Sequence, residues 1–216
     1  MHRIMEKARK QPLIMRLVWV ALIVELVASL VSGRYVSSFV ALGTFGLTLL
    51  PMVFASRFHI YVPPSFMTAI VLFIFATIFL GEVGDFYERY WWWDVILHGG
   101  SAVGFGLIGF LAIFMLVQGD RYAAPPWGIG LFAFCFAMTI GALWEIFEYA
   151  MDQTFGMNMQ KSGLQDTMWD LIVDAGGGLV GATCGTIYMA RKTGAPFSGV
   201  LRDFIDRNER FFEKFR

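Results

Sequence analysis

Carboxylate side chains recur at helical spacing in three apolar stretches of this sequence. Asp94 and His98 are four residues apart, and residues three or four apart share one face of an α-helix. Three such faces turned toward one another would surround a hard divalent cation with oxygen ligands and one imidazole. The other two sets, one in each of two later stretches, are Glu145, Glu148 and Asp152, and Asp166, Asp170 and Asp174.

The residue types in these sets indicate which metals they would bind. Many carboxylates with one imidazole favour Mg²⁺, Mn²⁺, Ca²⁺ or iron over a zinc site made of Cys and His. Di-iron bundles use Glu-x-x-His pairs, whereas this chain has Glu-x-x-Glu and a single usable histidine, so that analogy is partial. Cys135 and Cys184 lie in apolar stretches without metal-ligand spacing. Asp94 and His98 are the candidate catalytic residues, and the candidate metal ligands are Asp94, His98, Glu145, Glu148, Asp166, Asp170 and Asp174.

The elements that carry these residues are predicted to be membrane-spanning helices. The chain is 57% hydrophobic and 16% charged, and its apolar runs reach the roughly 20 residues that cross a bilayer. Continuous runs favour an all-α polytopic bundle over a β-barrel, and a formal net charge of zero gives no electrostatic footprint for nucleic acid. The predicted spans are residues 13–32, 37–55, 65–82, 94–118, 127–151 and 167–190.

The positions of Lys and Arg predict how the spans are oriented. With both termini in the cytoplasm, all but three of the 17 basic residues (Arg34, Arg89 and Lys161) lie on the cytoplasmic side, as the positive-inside rule requires. We therefore expect a multi-pass protein of the bacterial inner membrane. In this orientation many acidic residues share the outer half of the membrane, namely Glu82, Asp85, Glu88, Asp94, Glu145, Glu148, Asp152, Asp166, Asp170 and Asp174.

Carboxylates at membrane depth cost several kcal/mol each unless they are paired, protonated or bound to a cation. Some of this set has a simpler explanation: Asp94 and Asp166 are also suited to cap helix N-termini. Asp85, Glu88 and Asp152 fit solvated loop or rim positions. Five residues lie a turn or more inside the spans, where the alternatives are a functional polar site or a structural network, namely His98, Glu145, Glu148, Asp170 and Asp174.

The chain is interpreted as one transmembrane domain, residues 1–195, followed by a tail, residues 196–216. In the tail, apolar and basic residues alternate at helical spacing, which predicts a helix on an anionic membrane surface or one that docks onto a protein partner. The apolar residues are Val200, Leu201, Phe204, Ile205, Phe211, Phe212 and Phe215, and the basic ones are Arg202, Arg207, Arg210, Lys214 and Arg216.

Three stretches together resemble the YjdF-like family of bacterial inner-membrane proteins: W-W-W-D-V-I-L-H-G-G at 91–100, W-E-I-F-E-Y at 144–149 and L-Q-D-T-M-W-D-L-I-V-D at 164–174. They are more distantly similar to VanZ-like proteins, which also pair an Asp-x-x-x-His helix start with a later Glu and an Asp-containing helix start. The resemblance covers about residues 80–185 and leaves out the first two spans and the tail. It implies a membrane fold and a polar site rather than a reaction, and the VanZ similarity implies a role in the envelope or in glycopeptide resistance.

Three classes of function fit these patterns. The first is a metal-dependent enzyme that acts on a membrane lipid or lipid-linked phosphate at the outer leaflet, where a cation neutralises phosphate charge and activates water. His98 would be a ligand or general acid/base, and Arg89 is the one nearby Arg that could hold a phosphate. The second is an ion or proton transporter, since acidic residues at depth mark such pathways. The third is a non-catalytic membrane-complex subunit, whose polar network fixes packing and whose tail docks a partner.

Overall fold

The computed structural model describes residues 11–117, 124–191, 194 and 196–212. Within these ranges the regular structure is entirely helical. Six of the helices are long and apolar enough to cross a membrane. In chain order the helices are α1 (Leu13–Val31), α2 (Tyr35–Arg57), α3 (Pro64–Ile74, continued to Val83 as a π-helix), α4 (Phe86–Arg89), α5 (Trp92–Val117), α6 (Pro126–Phe155), α7 (Leu164–Arg191), α8 (Ser198–Arg207) and α9 (Glu209–Phe212).

The predicted all-α class and the six spans are confirmed, with helix ends within four residues of the predicted ones. Local sequence explains several of these ends. Pro64 and Pro126 occupy first helical positions, where the missing N–H costs nothing. Gly156 ends α6 with a left-handed backbone at φ 67°, which glycine adopts without strain. Residue 118, the predicted end of the fourth span, lies outside the described residues, and the orientation of the termini stays a prediction.

The helices group into two compact units, one up to Trp93 and one from Asp94 onward. The assignment of residues 1–195 to a single domain stays a prediction. In the first unit the polar groups of α1 and α2 satisfy one another, since Trp19 Nε1 donates to Thr48 Oγ1 at 3.0 Å. Glu25, the acidic residue inside α1, forms an ion pair with Arg34 at 3.0 Å. Trp19 and Thr48, and Glu25 and Arg34, are therefore paired within the first unit.

In the second unit α5 and α7 pack through glycine. Any side chain on Gly177 would collide with Gly99 O, and any on Gly181 would collide with Val103 O. Gly177, Gly181 and Gly185, which are spaced four residues apart on α7, therefore form the contact. Gly100 and Gly104 have the same spacing on α5 but take no part in it, because a Cβ on either would meet no described atom within 4 Å. The residues of α5 that face α7 are Gly99, Ala102, Val103, Gly106 and Phe110.

The described part of the tail packs against this same unit. Leu201 is 1% exposed and joins a cluster with Phe110, Ile129 and Tyr188. The ring of Phe212 lies 5.8 Å from that of Phe114 on α5. The buried side of the predicted amphipathic helix thus has a partner within the chain. The membrane-surface or protein-docking role of the tail stays a prediction, and Lys214, Phe215 and Arg216 lie outside the described residues.

Candidate metal site

The acidic residues of the second unit meet because of how three helices run. Gly141 on α6 contacts Asp174 on α7, and Ala137 contacts Gly178, so residue numbers increase along α7 as they decrease along α6 and the two helices are antiparallel. Gly99 on α5 contacts Gly177 on α7, and Val103 contacts Gly181, so residue numbers increase in the same direction and this pair of helices is parallel. The start of α5, the end of α6 and the start of α7 therefore share one end of the unit, which we name the acidic end.

His98 lies at the centre of the acidic end and is 8% exposed. Its Nδ1 atom is 3.3 Å from Asp174 Oδ1 on α7. Its Nε2 atom is 3.8 Å from Asp94 Oδ1 on its own helix and 4.0 Å from Glu145 Oε1 on α6. The imidazole thus faces carboxylates from all three helices. Spacing within a helix predicted only the contact with Asp94.

Three carboxylates are buried with His98, since Glu145, Asp170 and Asp174 are 4%, 4% and 2% exposed. Among the described residues, neither oxygen of Glu145 accepts a hydrogen bond of good geometry, although the hydroxyl of Thr167 lies beside it. Oδ2 of Asp170 and Oδ2 of Asp174 also lack a hydrogen-bond donor. Buried carboxylate oxygens without a donor are costly, so these four atoms require a positive partner or a proton.

One subset has the spacing of metal ligands. One atom from each of Asp94, His98 and Asp170 can be chosen so that all three lie within 4.8 Å of one another. Asp94 is the most accessible of the three, with 33% of its side chain exposed. The group is therefore enclosed by α5 and α7 and reached from the side on which Asp94 lies.

The other predicted site residues lie around this group. Glu148 is half-buried one turn beyond Glu145, and its Oε1 atom accepts a hydrogen bond from Trp144 Nε1 at 2.9 Å. Asp166 is half-buried in the first turn of α7, where its carboxylate accepts a hydrogen bond from the backbone of Lys161. Neither belongs to the group of three ligand atoms that lie close together.

Asp152 has a structural role in the connection between α6 and α7. It lies on α6, and its two oxygens accept hydrogen bonds from the backbone N–H groups of Met159 (2.7 Å) and Gln160 (2.9 Å). The reading of Asp152 as a solvated rim charge was therefore incomplete. By holding this connection, Asp152 sets where α7 begins and so where Asp166 and Asp170 lie.

Sequence reasoning missed three residues that shape the site. Gly141 lies directly beneath the carboxylate of Asp174, and any side chain there would collide with Oδ2. Thr167 links the connection to the site, because its hydroxyl accepts from Gln160 Nε2 at 2.6 Å and lies beside Glu145. Lys161 is exposed and brings a positive charge near Asp94 and Asp166. The signal for Gly141 was its position one turn before Glu145.

A sequence profile of the family described as "Predicted membrane protein (DUF2238)" matches residues 14–191. The chain belongs to this family. Membership in the DUF2238 family fits the YjdF-like resemblance, and the family match already begins within the first span. The similarity to VanZ-like proteins stays a prediction.

A relative of this DUF2238 protein occurs in Thermotoga maritima. It carries the name "Uncharacterized protein" and is 31% identical over 148 residues, which are 68% of this chain and 73% of the relative. No solved structure matches the chain. The comparisons therefore support a multi-pass membrane protein of the DUF2238 family, and the chemistry must be argued from the site.

Proposed function

We propose that this membrane protein binds a divalent cation at the acidic end and uses it to act on a lipid or a lipid-linked phosphate. The ligands would be Asp94, His98 and Asp170, with Glu145 facing the same imidazole nitrogen as Asp94. The observation that carries the proposal is the set of buried carboxylate oxygens without hydrogen-bond donors around a single histidine. A divalent cation is the partner that would stabilise several of them at once.

The spacing of the three atoms is compatible with one shared cation. Two ligands on opposite sides of Mg²⁺, each at about 2.1 Å, are about 4.2 Å apart, and for Ca²⁺ the separation reaches about 5 Å. The observed limit of 4.8 Å between the atoms of Asp94, His98 and Asp170 lies between these values. Small side-chain movements would bring the three ligand atoms close enough together to bind the smaller ions. The imidazole favours Mn²⁺ or Fe²⁺ within the predicted set of Mg²⁺, Mn²⁺, Ca²⁺ and iron.

Charge also favours a cation over a self-contained network. His98 can contribute at most one positive charge, whereas Glu145, Asp170 and Asp174 are all buried beside it. A network without a cation would have to hold protons on the remaining carboxylates, and a proton on Glu145 would still need an acceptor. A divalent cation would balance two of these charges and so reduce both demands, because ligand carboxylates are bound in their ionised form.

A phosphate substrate fits the open side of the site. Asp94 is partly exposed there, and the exposed Lys161 adds the positive charge that the acidic residues lack. A bound cation would neutralise the phosphate and lower the free energy of forming hydroxide from water. An unligated carboxylate such as Glu148, held by Trp144 at the rim, would accept the proton from that water as its oxygen bonds to phosphorus, and would return the proton to the oxygen that leaves with the lipid or the second phosphate.

Transport is the weaker candidate because the three helices approach closely below the site. Gly106 lies against Gly178 O, and Gly109 lies against Ala133 and Phe136. A Cβ built on Gly178 would lie 3.0 Å from Cβ of Ala137. Each pair of helices is therefore in contact, and among the described residues this packing leaves little space for a hydrated ion to continue past Asp174.

The test of the cation site is a calorimetric titration of the purified full-length protein with Mn²⁺. Asp170→Asn should weaken binding by at least about tenfold, which corresponds to about 1.4 kcal/mol. Asp203→Asn is the matched control, because Asp203 lies on α8 and pairs with Arg207. Equal Mn²⁺ affinity in the wild type and Asp170→Asn, or no binding at all, would reject the proposed site.

The test of the reaction is phosphate release in mixed micelles. Phosphatidic acid and a polyprenyl diphosphate are supplied separately with Mn²⁺, and release by the wild type is compared with His98→Gln and with Asp203→Asn. We expect release that requires Mn²⁺ and is lost in His98→Gln alone. If Mn²⁺ binds but neither lipid is hydrolysed, the enzyme proposal fails for these substrates. Mn²⁺ uptake by proteoliposomes would then favour transport.

A further inference from the structure

The structure assigns Asp174 a role different from that of the ligands: we infer that it orients His98 so that Nε2, and not Nδ1, binds the cation. Gly141 on α6 supplies the space that this carboxylate occupies. The identity of the ligands rests on the proposed function. The tautomer of His98, with the proton on Nδ1, can be tested independently of it.

The two ring nitrogens of His98 face different surroundings. Nδ1 lies 3.3 Å from Asp174 Oδ1, with which it forms a hydrogen bond. Nε2 faces Asp94 and Glu145, at 3.8 Å and 4.0 Å, both too long for a hydrogen bond and both compatible with a cation between them. An Nδ1–H group that donates to Asp174 leaves the lone pair on Nε2. Histidines that bind metals are commonly held in this way by a carboxylate on the other nitrogen.

Asp174 is closely enclosed by its neighbours. It is 2% exposed, and a Cβ on Gly141 would lie 2.9 Å from its Cγ atom and would collide with Oδ2. The side chain is therefore held between the ring of His98 and the backbone of α6. A carboxylate in this position can hold an imidazole at one orientation, whereas a more mobile one would allow the ring to turn.

The position of Asp174 also separates it from the ligand group. The close set of ligand atoms comprises Asp94, His98 and Asp170, and Asp170 lies one turn nearer the acidic end than Asp174. Both Asp residues thus lie on one face of α7 with different partners. Asp170 offers one carboxylate oxygen to the close set of ligand atoms, and Asp174 binds the imidazole through Nδ1.

The experiment is ¹⁵N NMR of the histidine rings in the full-length protein in micelles, with Zn²⁺ as a diamagnetic probe. The chain has three histidines, and His98→Gln assigns the His98 resonances. In the metal-free wild type we expect the proton on Nδ1, and on addition of Zn²⁺ we expect the Nε2 resonance to shift while Nδ1 stays protonated. In Asp174→Ala the hydrogen-bonded Nδ1 proton signal should disappear, and Zn²⁺ affinity should fall by about 10–100-fold.

Gly141→Ala is an independent variant that changes neither His98 nor a ligand. Its Cβ should displace the Asp174 carboxylate and reproduce the NMR change and the loss of Zn²⁺ affinity. Gly100→Ala is the matched control, because it lies two residues from His98 and its Cβ would meet no described atom within 4 Å. If Gly141→Ala does not fold, Asp174→Ala decides the question.

Zn²⁺ bound through Nδ1, or unchanged affinity in both Asp174→Ala and Gly141→Ala, would overturn the inference while leaving the cation site intact. If Zn²⁺ does not bind near His98, the proposed cation site fails. The metal-free spectra would still decide whether Asp174 orients His98. A proton on Nε2 alone contradicts this role, and an Nδ1 proton whose signal is lost in Asp174→Ala supports it.

Discussion

His98 and Asp174 are 76 residues apart in the sequence, and yet Nδ1 of the histidine lies 3.3 Å from Oδ1 of the aspartate. The parallel packing of α5 and α7 brings them together. Gly177, three residues after Asp174, lies against Gly99 O, one residue after His98. A side chain at Gly177 would hold α5 and α7 apart. The distance between His98 and Asp174 therefore depends on glycine at this position.

Glu145 and Glu148 lie on the same side of α6 but differ in burial and partners, and this difference is testable. Glu145→Gln should weaken Mn²⁺ binding by about tenfold or more, because both of its oxygens are buried without donors. Glu148→Gln should change the affinity by less than about threefold, since its Oε1 atom already accepts from Trp144. Calorimetric titration of both variants measures the difference, and a larger effect for Glu148→Gln would contradict the proposed ligand set.

Removal of the metal should destabilise the protein. A ligand present at 100 times its dissociation constant stabilises the folded state by about 2.7 kcal/mol, which corresponds to a rise in Tm of roughly 5–10 °C for a chain of this size. We expect Mn²⁺ to raise the Tm of the wild type by such an amount and EDTA to reverse it, as measured by scanning fluorimetry. At the same Mn²⁺ concentration Asp170→Asn should show about half this rise or less, because a tenfold weaker site is stabilised by only about 1.4 kcal/mol. A Tm that does not depend on Mn²⁺ would count against the site.

The close contact of α5 with α7 through glycine predicts that two similar Gly→Ala substitutions differ in their effect on stability. Gly181→Ala should lower the stability by about 1–3 kcal/mol, because its Cβ would lie 3.0 Å from Gly106 Cα and would collide with Val103 O. Gly104→Ala should be neutral or slightly stabilising, because its Cβ would meet no described atom within 4 Å. Equal melting temperatures for the two variants would show that the helices are not held this closely.

The packing of the tail can be tested with two apolar residues. Leu201→Ala should cost about 2–5 kcal/mol, since Leu201 is 1% exposed within the cluster of Phe110 and Tyr188. Phe197→Ala should change the stability by less than about 0.5 kcal/mol, because Phe197 is 46% exposed. Thermal unfolding of both variants in the same detergent measures the contrast. If Leu201→Ala unfolds like the wild type, the tail does not pack on this unit in solution.

The fold was largely predictable from the sequence because its signals are local. Each span is an apolar run bounded by proline, glycine or charged residues, and Pro64, Pro126 and Gly156 mark helix ends through their own backbone preferences. The face of α5 that contacts α7 was less predictable. Gly99 and Gly100 are adjacent and equally small, and only the rotation of the helix against its neighbour decides which of them is buried.

The candidate site was predictable as a set of residues but not as an arrangement. Spacing within one helix placed His98 with Asp94, and it could not place Asp174 beside Nδ1, because that contact depends on how α5 and α7 are aligned. The roles of Gly141 and Lys161 were also hidden. Each acts through a neighbour on another part of the chain, and spacing within one helix does not show such a contact.

The most direct test of the central claim is anomalous diffraction from crystals of the protein grown with Mn²⁺. We expect a manganese peak within about 2.5 Å of His98 Nε2 and of carboxylate oxygens from Asp94 and Asp170. The same crystals grown with EDTA should lack the peak. A map in which manganese binds elsewhere, or in which these side chains donate hydrogen bonds to one another with no metal between them, would contradict the claim.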